Sequence, residues 1–109
     1  MAQTPEGRIK LMLDTMLKKF PPEYVWFYSP QAGPFGRSGI PDRVAVVCGK
    51  FVGIECKADA NKHLTELQHA TIKLISKAGG KCFVVFDRPS IDIVERYISA
   101  SIARKELLT

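Results

Sequence analysis

The stretch that most constrains this 109-residue chain runs from Gly39 to Lys57. Two short runs rich in Val, Ile and Phe, residues 43 to 48 and 51 to 56, flank Gly49-Lys50. A two-residue connection that opens with Gly marks a type II′ hairpin turn. That turn fixes a register: Cys48 opposite Phe51, Val46 opposite Gly53, Val44 opposite Glu55 and Asp42 opposite Lys57. Opposed residues project from the same side of a sheet. Asp42, Glu55 and Lys57 therefore share one face, with Asp42 and Glu55 on a diagonal of about 7–8 Å. A hard cation fits between two such carboxylates, because Mg²⁺ takes oxygen ligands at about 2.0–2.1 Å, keeps several waters and needs only one or two acids. A lysine beside the ion can position or help deprotonate an attacking water, or hold a phosphate oxygen during an in-line attack. A Pro-Asp turn ahead of a charged strand face accounts for the same residues without any chemistry. The neighbourhood separates the two readings. Val44, Val46 and Phe51 on one side and Ala45, Val47, Val52 and Ile54 on the other predict a sheet covered on both faces. Acids and a lysine buried there are costly unless they bind something.

The length suits one domain, residues 1–109, with a core of its own. Three cysteines, Cys48, Cys56 and Cys82, are an odd number in apolar strand contexts, which predicts reduced core residues and a cytosolic setting. No apolar run approaches a membrane span, and the N-terminus lacks a basic-then-apolar signal segment. Sixteen Lys and Arg against eleven Asp and Glu give a formal charge of +5. That excess favours a polyanionic partner such as nucleic acid.

Along the chain, Thr4-Pro5-Glu6 is a helix start, with a capping hydroxyl, a proline at the first helical position and an acid in the first turn. The helix is expected to run to about Phe20, with Ile9, Leu13, Met16, Leu17 and Phe20 on its apolar stripe and Pro21-Pro22 ending it. Glu6 lies within about twenty degrees of Leu13 and Leu17 on the helical wheel. It either points along the buried stripe or complements the helix dipole. Residues 24 to 28 read as a strand by β-branched and aromatic content, with Trp26 and the tyrosines as core rather than as base-stacking platforms. Ser29 to Pro41, rich in Gly and Pro, is a loop at the edge of the proposed site. Its Arg37 and Ser38 suit close approach to a phosphate backbone, a flexible connector being the plainer reading.

Ala58 to Leu64 is a polar connector whose Lys62 and His63 are either DNA contacts or solvated loop residues. Thr65-x-x-Gln68 opens a second helix with a capping box, Leu67, Thr71, Leu74, Ile75 and Ala78 follow at helical spacing, and Gly79-Gly80 stops it. His69 reads as a surface residue, with no second His at i+4 to make it a ligand. Lys81 to Asp87 is a nearly all-apolar fourth strand. Ser90 is the expected cap of a last helix, whose stripe Ile91, Val94, Ile98 and Ile102 packs on the sheet or meets a second copy.

The order is helix with an acid, strand, Asp-bearing strand, Glu-x-Lys strand, helix, strand, helix. It resembles the restriction-endonuclease-like core, an α/β fold with a mixed central sheet of about four strands flanked by helices. The motif of Pro-Asp followed by an acid, any residue and Lys is matched by Pro41-Asp42 and Glu55-Cys56-Lys57. More narrowly, residues 5 to 87 are similar to the VRR-NUC family of virus-type replication and repair nucleases, through Gly39-Ile40-Pro41-Asp42, Glu55-Cys56-Lys57, Leu64 to Gln68, Lys77 to Gly80 and Phe83-Val84-Val85. The resemblance implies a nuclease dependent on Mg²⁺ or Mn²⁺. Asp42, Glu55, Glu6 and the Cys56 carbonyl would hold the ion, Lys57 would be the catalytic lysine, and Gln68 would reach the site, a role that competes with its capping box. Arg43 stands where an aliphatic residue is common, which suggests an added phosphate contact. Stand-alone members are similar to small viral nucleases that dimerise and cut branched DNA such as four-way junctions. The expected setting is thus the cytoplasm of a bacterial or phage-infected host cell, with no membrane partner. Action on flapped or nicked DNA, or a catalytically silent DNA-binding module on the same fold, are the alternatives.

Overall fold

The structure, a computed structural model, describes residues 3–31 and 38–109. Its elements are α1 (Pro5–Leu17), β1 (Val25–Tyr28), β2 (Arg43–Val47), β3 (Lys50–Cys56), α2 (Glu66–Lys77), β4 (Lys81–Val85) and α3 (Arg88–Leu108). This is the expected α-β-β-β-α-β-α order. The sheet runs β1-β2-β3-β4, with the first three strands antiparallel and β4 parallel to β3. A parallel neighbour needs a crossover, and α2 supplies it.

The Thr4 hydroxyl caps α1 by accepting the Gly7 N–H at 3.0 Å. Ile9, Leu13, Met16 and Leu17 are its buried stripe. The helix ends at Leu17 rather than Phe20, because the next amides tighten into i→i−3 bonds, Lys19 to Met16 and Phe20 to Leu17, before the two prolines.

The hairpin turn differs from expectation. Val47 pairs with Lys50 and Val46 with Phe51, so the two turn residues are Cys48 and Gly49, not Gly49 and Lys50. Both have positive φ, 50° and 85°, the mark of a type I′ turn. Every pairing moves by two positions. Arg43 faces Ile54, and one further step puts Asp42 opposite Glu55 rather than opposite Lys57. A shift of two preserves which face each side chain takes, so Asp42, Glu55 and Lys57 still fall on one side.

Only one face of the sheet is fully covered, which corrects the expectation of two. Val25, Ala45, Val47, Val52, Ile54, Cys56 and Val85 form a single core with the buried stripes of α1 and α3. On the opposite face α2 lies against β4, while Trp26 is 56% and Tyr28 48% exposed. Both were expected in the core, yet β1 alternates and these two point outward, their rings 5.5 Å apart. Leu67 and Leu74 of α2 are also half exposed or more, although they share the helical spacing of the buried Thr71.

α3 is capped by Asp87, not Ser90. The Asp87 carboxylate accepts the Ser90 N–H, and the buried Ser90 hydroxyl accepts the N–H groups of Phe86 and Asp87. Those two amides are thereby taken from the sheet, and β4 stops at Val85. Ile91, Val94 and Ile98 are buried along α3 as expected, with Ile102 partly so. All three cysteines are free thiols. Among the described residues no helix is long and apolar enough to cross a membrane.

Candidate active site

The end of the β2–β3 hairpin away from its turn brings Asp42 and Glu55 together. Asp42 leads into β2, and one of its oxygens accepts the Cys56 N–H at 2.8 Å. This bond spans the mouth of the hairpin and fixes the carboxylate against β3. Glu55, next to last in β3, is 3% exposed. Its Oε2 is buried with no hydrogen-bond partner, although buried polar atoms are satisfied in the great majority of cases.

The two acids set each other's charge. Burial first, then the adjacent Asp42 carboxyl, push Glu55 up to about 9 against the pull of the Lys57 ammonium. Burial works against an ionised Asp42 as well. The neighbouring Glu55 carboxyl, the Cys56 N–H and the Lys10 ammonium nevertheless hold it below the usual carboxylate range. Each acid therefore moves the other, Glu55 toward its protonated form and Asp42 toward its ionised form.

Lys57 follows directly on β3, and its Nζ donates to Gln68 Oε1 at 2.9 Å. The same oxygen accepts the Thr65 N–H at 2.9 Å, while the Thr65 hydroxyl accepts the Gln68 N–H. The capping box and the contact with Lys57 are therefore made together, not in alternation. On the other side of the site, Gly39 (φ 81°) leads toward Asp42 so close to α2 that an added Cβ would lie 2.7 Å from Leu67 and 3.0 Å from the Thr71 hydroxyl. Only glycine fits both that conformation and that approach. An open cleft of about 430 Å³ runs from Tyr28 past Ser38 and Gly39 to Asp42.

Glu6 is not in contact with the other two acids. Its side chain is 44% exposed and pairs with Lys10 at 3.3 Å, and Lys10 in turn lies 3.5 Å from Asp42. Burial works against the Lys10 charge, but Asp42 and Glu6 raise its pKa overall. Among the described residues no three of His, Cys, Asp and Glu stand close enough to share an ion; Lys10 stands between Glu6 and Asp42. Lys10 is the site residue that sequence reasoning missed. Its i,i+4 relation to Glu6 was visible, while its reach to Asp42 depends on how α1 meets the sheet.

Arg43, expected to meet phosphate, is turned inward. Its guanidinium forks onto Asp14 at 2.7 and 2.9 Å and donates to the Ser29 hydroxyl and the Asp42 carbonyl, both at 2.8 Å. Four bonds leave it a structural clamp between α1, the end of β1 and the start of β2. Cys56 places its side chain in the core, where burial pushes the thiol up to about 12, so only its backbone is available to the site. Ser38, Lys62 and His63 are exposed. Arg37 lies outside the described residues. Compared with known proteins, the chain matches no protein-family model and no curated protein.

Proposed function

We propose that this chain is a divalent-metal-dependent DNA endonuclease of the restriction-endonuclease-like, VRR-NUC type, cutting branched DNA such as four-way junctions. The observation that carries the reading is the buried, unpartnered Glu55 Oε2 beside an ionised Asp42. A carboxyl that gives up hydration without gaining a partner costs about 1–3 kcal/mol, and an ion would restore the missing ligand. The residues present fit such an ion: two carboxyl oxygens on facing strands, the nearby Cys56 backbone, and Glu6 one lysine away. When bound, Mg²⁺ or Mn²⁺ supplies positive charge for the phosphate in its transition state and a lower pKa for water.

The chain's own groups do the rest. Lys57, held by Gln68, presents an ammonium from the same sheet face as the acids, where it orients the attacking water or a phosphate oxygen. The cleft from Tyr28 to Asp42 gives a strand access, with Ser38 at its lining. The net charge of +5 favours a polyanion. Two symmetric cuts need two sites, and a two-fold dimer supplies them; the open, apolar side of the sheet is surface suited to that pairing. A catalytically silent DNA-binding module is the second reading, favoured by the absence of three converging ligands among the described residues.

Cleavage of a labelled four-way junction beside linear duplex, with Mg²⁺ and with Mn²⁺, tests the proposal. Wild type is expected to make paired symmetric cuts in the junction, with Lys57→Ala slower by about a hundredfold or more. Binding of the junction without cleavage under either metal would reject the nuclease and leave the binding module.

A further inference from the structure

We infer that Lys10 is a resident counter-ion, whose ammonium occupies the place between Glu6 and Asp42 in the metal-free protein and is displaced when a divalent cation binds. The inference rests on the metal-dependent reading above.

Three observations converge on it. Lys10 touches both acids, at 3.3 Å from Glu6 and 3.5 Å from Asp42. The buried Glu55 Oε2 has no hydrogen-bond partner, and the Lys10 ammonium, paired with Glu6 and Asp42, makes no ion pair with Glu55. A single lysine headgroup, anchored through its four-carbon stem on α1, reaches the rim of the site from the Glu6 side. A free ion is not so tethered.

An ammonium donates three hydrogens and prefers contacts near 2.8 Å. Both contacts here are longer. Such an arrangement balances charge without binding tightly, and half-exposed ion pairs of this kind contribute little each. A divalent ion brings twice the charge at about 2.0–2.1 Å from its oxygen ligands. Like charges cannot share the place, so the ion and the ammonium exclude one another. Exchange of one for the other frees Glu6, and the third acid of the site becomes available only then. This accounts for a carboxylate placed on the correct helix face yet held apart from its partners.

The test is calorimetric titration of Mn²⁺ alone into the full chain, together with thermal melting in EDTA, for wild type, Lys10→Met, Lys10→Arg and Arg8→Met. Lys10→Met is expected to bind Mn²⁺ about three- to tenfold more tightly than wild type, the worth of one or two such ion pairs. Its melting temperature in EDTA is expected to fall, and its rise on adding Mn²⁺ to exceed that of wild type. Lys10→Arg retains the charge and should titrate like wild type. Arg8→Met removes the same charge from the same helix without an ion pair among the described residues, and should change affinity less than about twofold. Equal or weaker binding by Lys10→Met, with wild type still binding Mn²⁺, overturns the role given to Lys10 and leaves the metal-dependent reading intact. An equal gain in Arg8→Met also overturns it, since the effect would then be general charge. Absence of Mn²⁺ binding in wild type overturns both.

Discussion

Two carboxyl groups brought together at the end of a hairpin, one of them almost wholly buried, give the free protein a pH dependence whose sign is fixed by Glu55. Its folded value of about 9 lies far above the ordinary value of about 4.3. The folded state therefore holds a proton that the unfolded chain releases. Its contribution to stability is complete below about pH 4 and is lost as pH rises toward 9. Asp42, shifted downward, acts in the opposite sense, and its contribution disappears only as pH falls through the acid range. Denaturant unfolding in EDTA at pH 5, 7 and 9 should thus show wild type losing stability across the series. Glu55→Gln, which cannot ionise, should lose less and overtake wild type at pH 9. Not everything at this scale was legible. Asp42, Glu55 and Lys57 could be read as sharing a face because strand alternation is local. Arg43 could not be placed, since its partner Asp14 stands 29 residues away and nothing near Arg43 announces it.

At the scale of elements, the hairpin and the start of α2 carry the site. The sequence reading was two positions out along the hairpin, because Gly49-Lys50 resembles a turn that opens with glycine, whereas Cys48 adopts the left-handed conformation. The alternation was right and the pairing was not: period two survives an even slip, while opposition does not. At α2, one oxygen of Gln68 serves two partners, and a pair of substitutions separates them. Thr65→Ala removes the hydroxyl side of the capping box and should cost about 1 kcal/mol of stability, while the proposed cleavage, measured on folded protein, should be nearly unchanged. Gln68→Ala should cost a similar amount and also slow cleavage about tenfold or more, since Lys57 loses its anchor. Melting curves read the first effect and single-turnover cleavage the second. Equal rates for the two variants would reject the tether. Helix limits were less legible than helix stripes. The end of α1 and the cap of α3 are settled by a few local hydrogen bonds, Lys19 to Met16 and Phe20 to Leu17 in the first and those between Asp87 and Ser90 in the second, which periodicity does not register.

For the whole molecule, the consequence of an unevenly covered sheet is an apolar surface beside the candidate site. Trp26, Val46 and Phe51 form one cross-strand row on that surface, and each is more than a third exposed. Apolar residues on both faces of the hairpin strands suggested two covered faces. The helices instead place two on one side and one on the other. If the open side pairs two copies, as proposed, sedimentation at micromolar concentration should give a dimer. Val46→Lys, at the centre of the row, should give a folded monomer that still binds Mn²⁺. A wild-type monomer would reject the pairing.

α2 has a further consequence. The segment leading to Asp42 rests on Leu67 and Thr71 through Gly39, and the Lys57 ammonium is held by Gln68. Acid and amine reach the site on different strands, yet both are located from the same two turns of one helix. Their placements share an origin, so a small displacement of that helix carries both along. The gap between them keeps its tolerance where independent supports would let two errors accumulate.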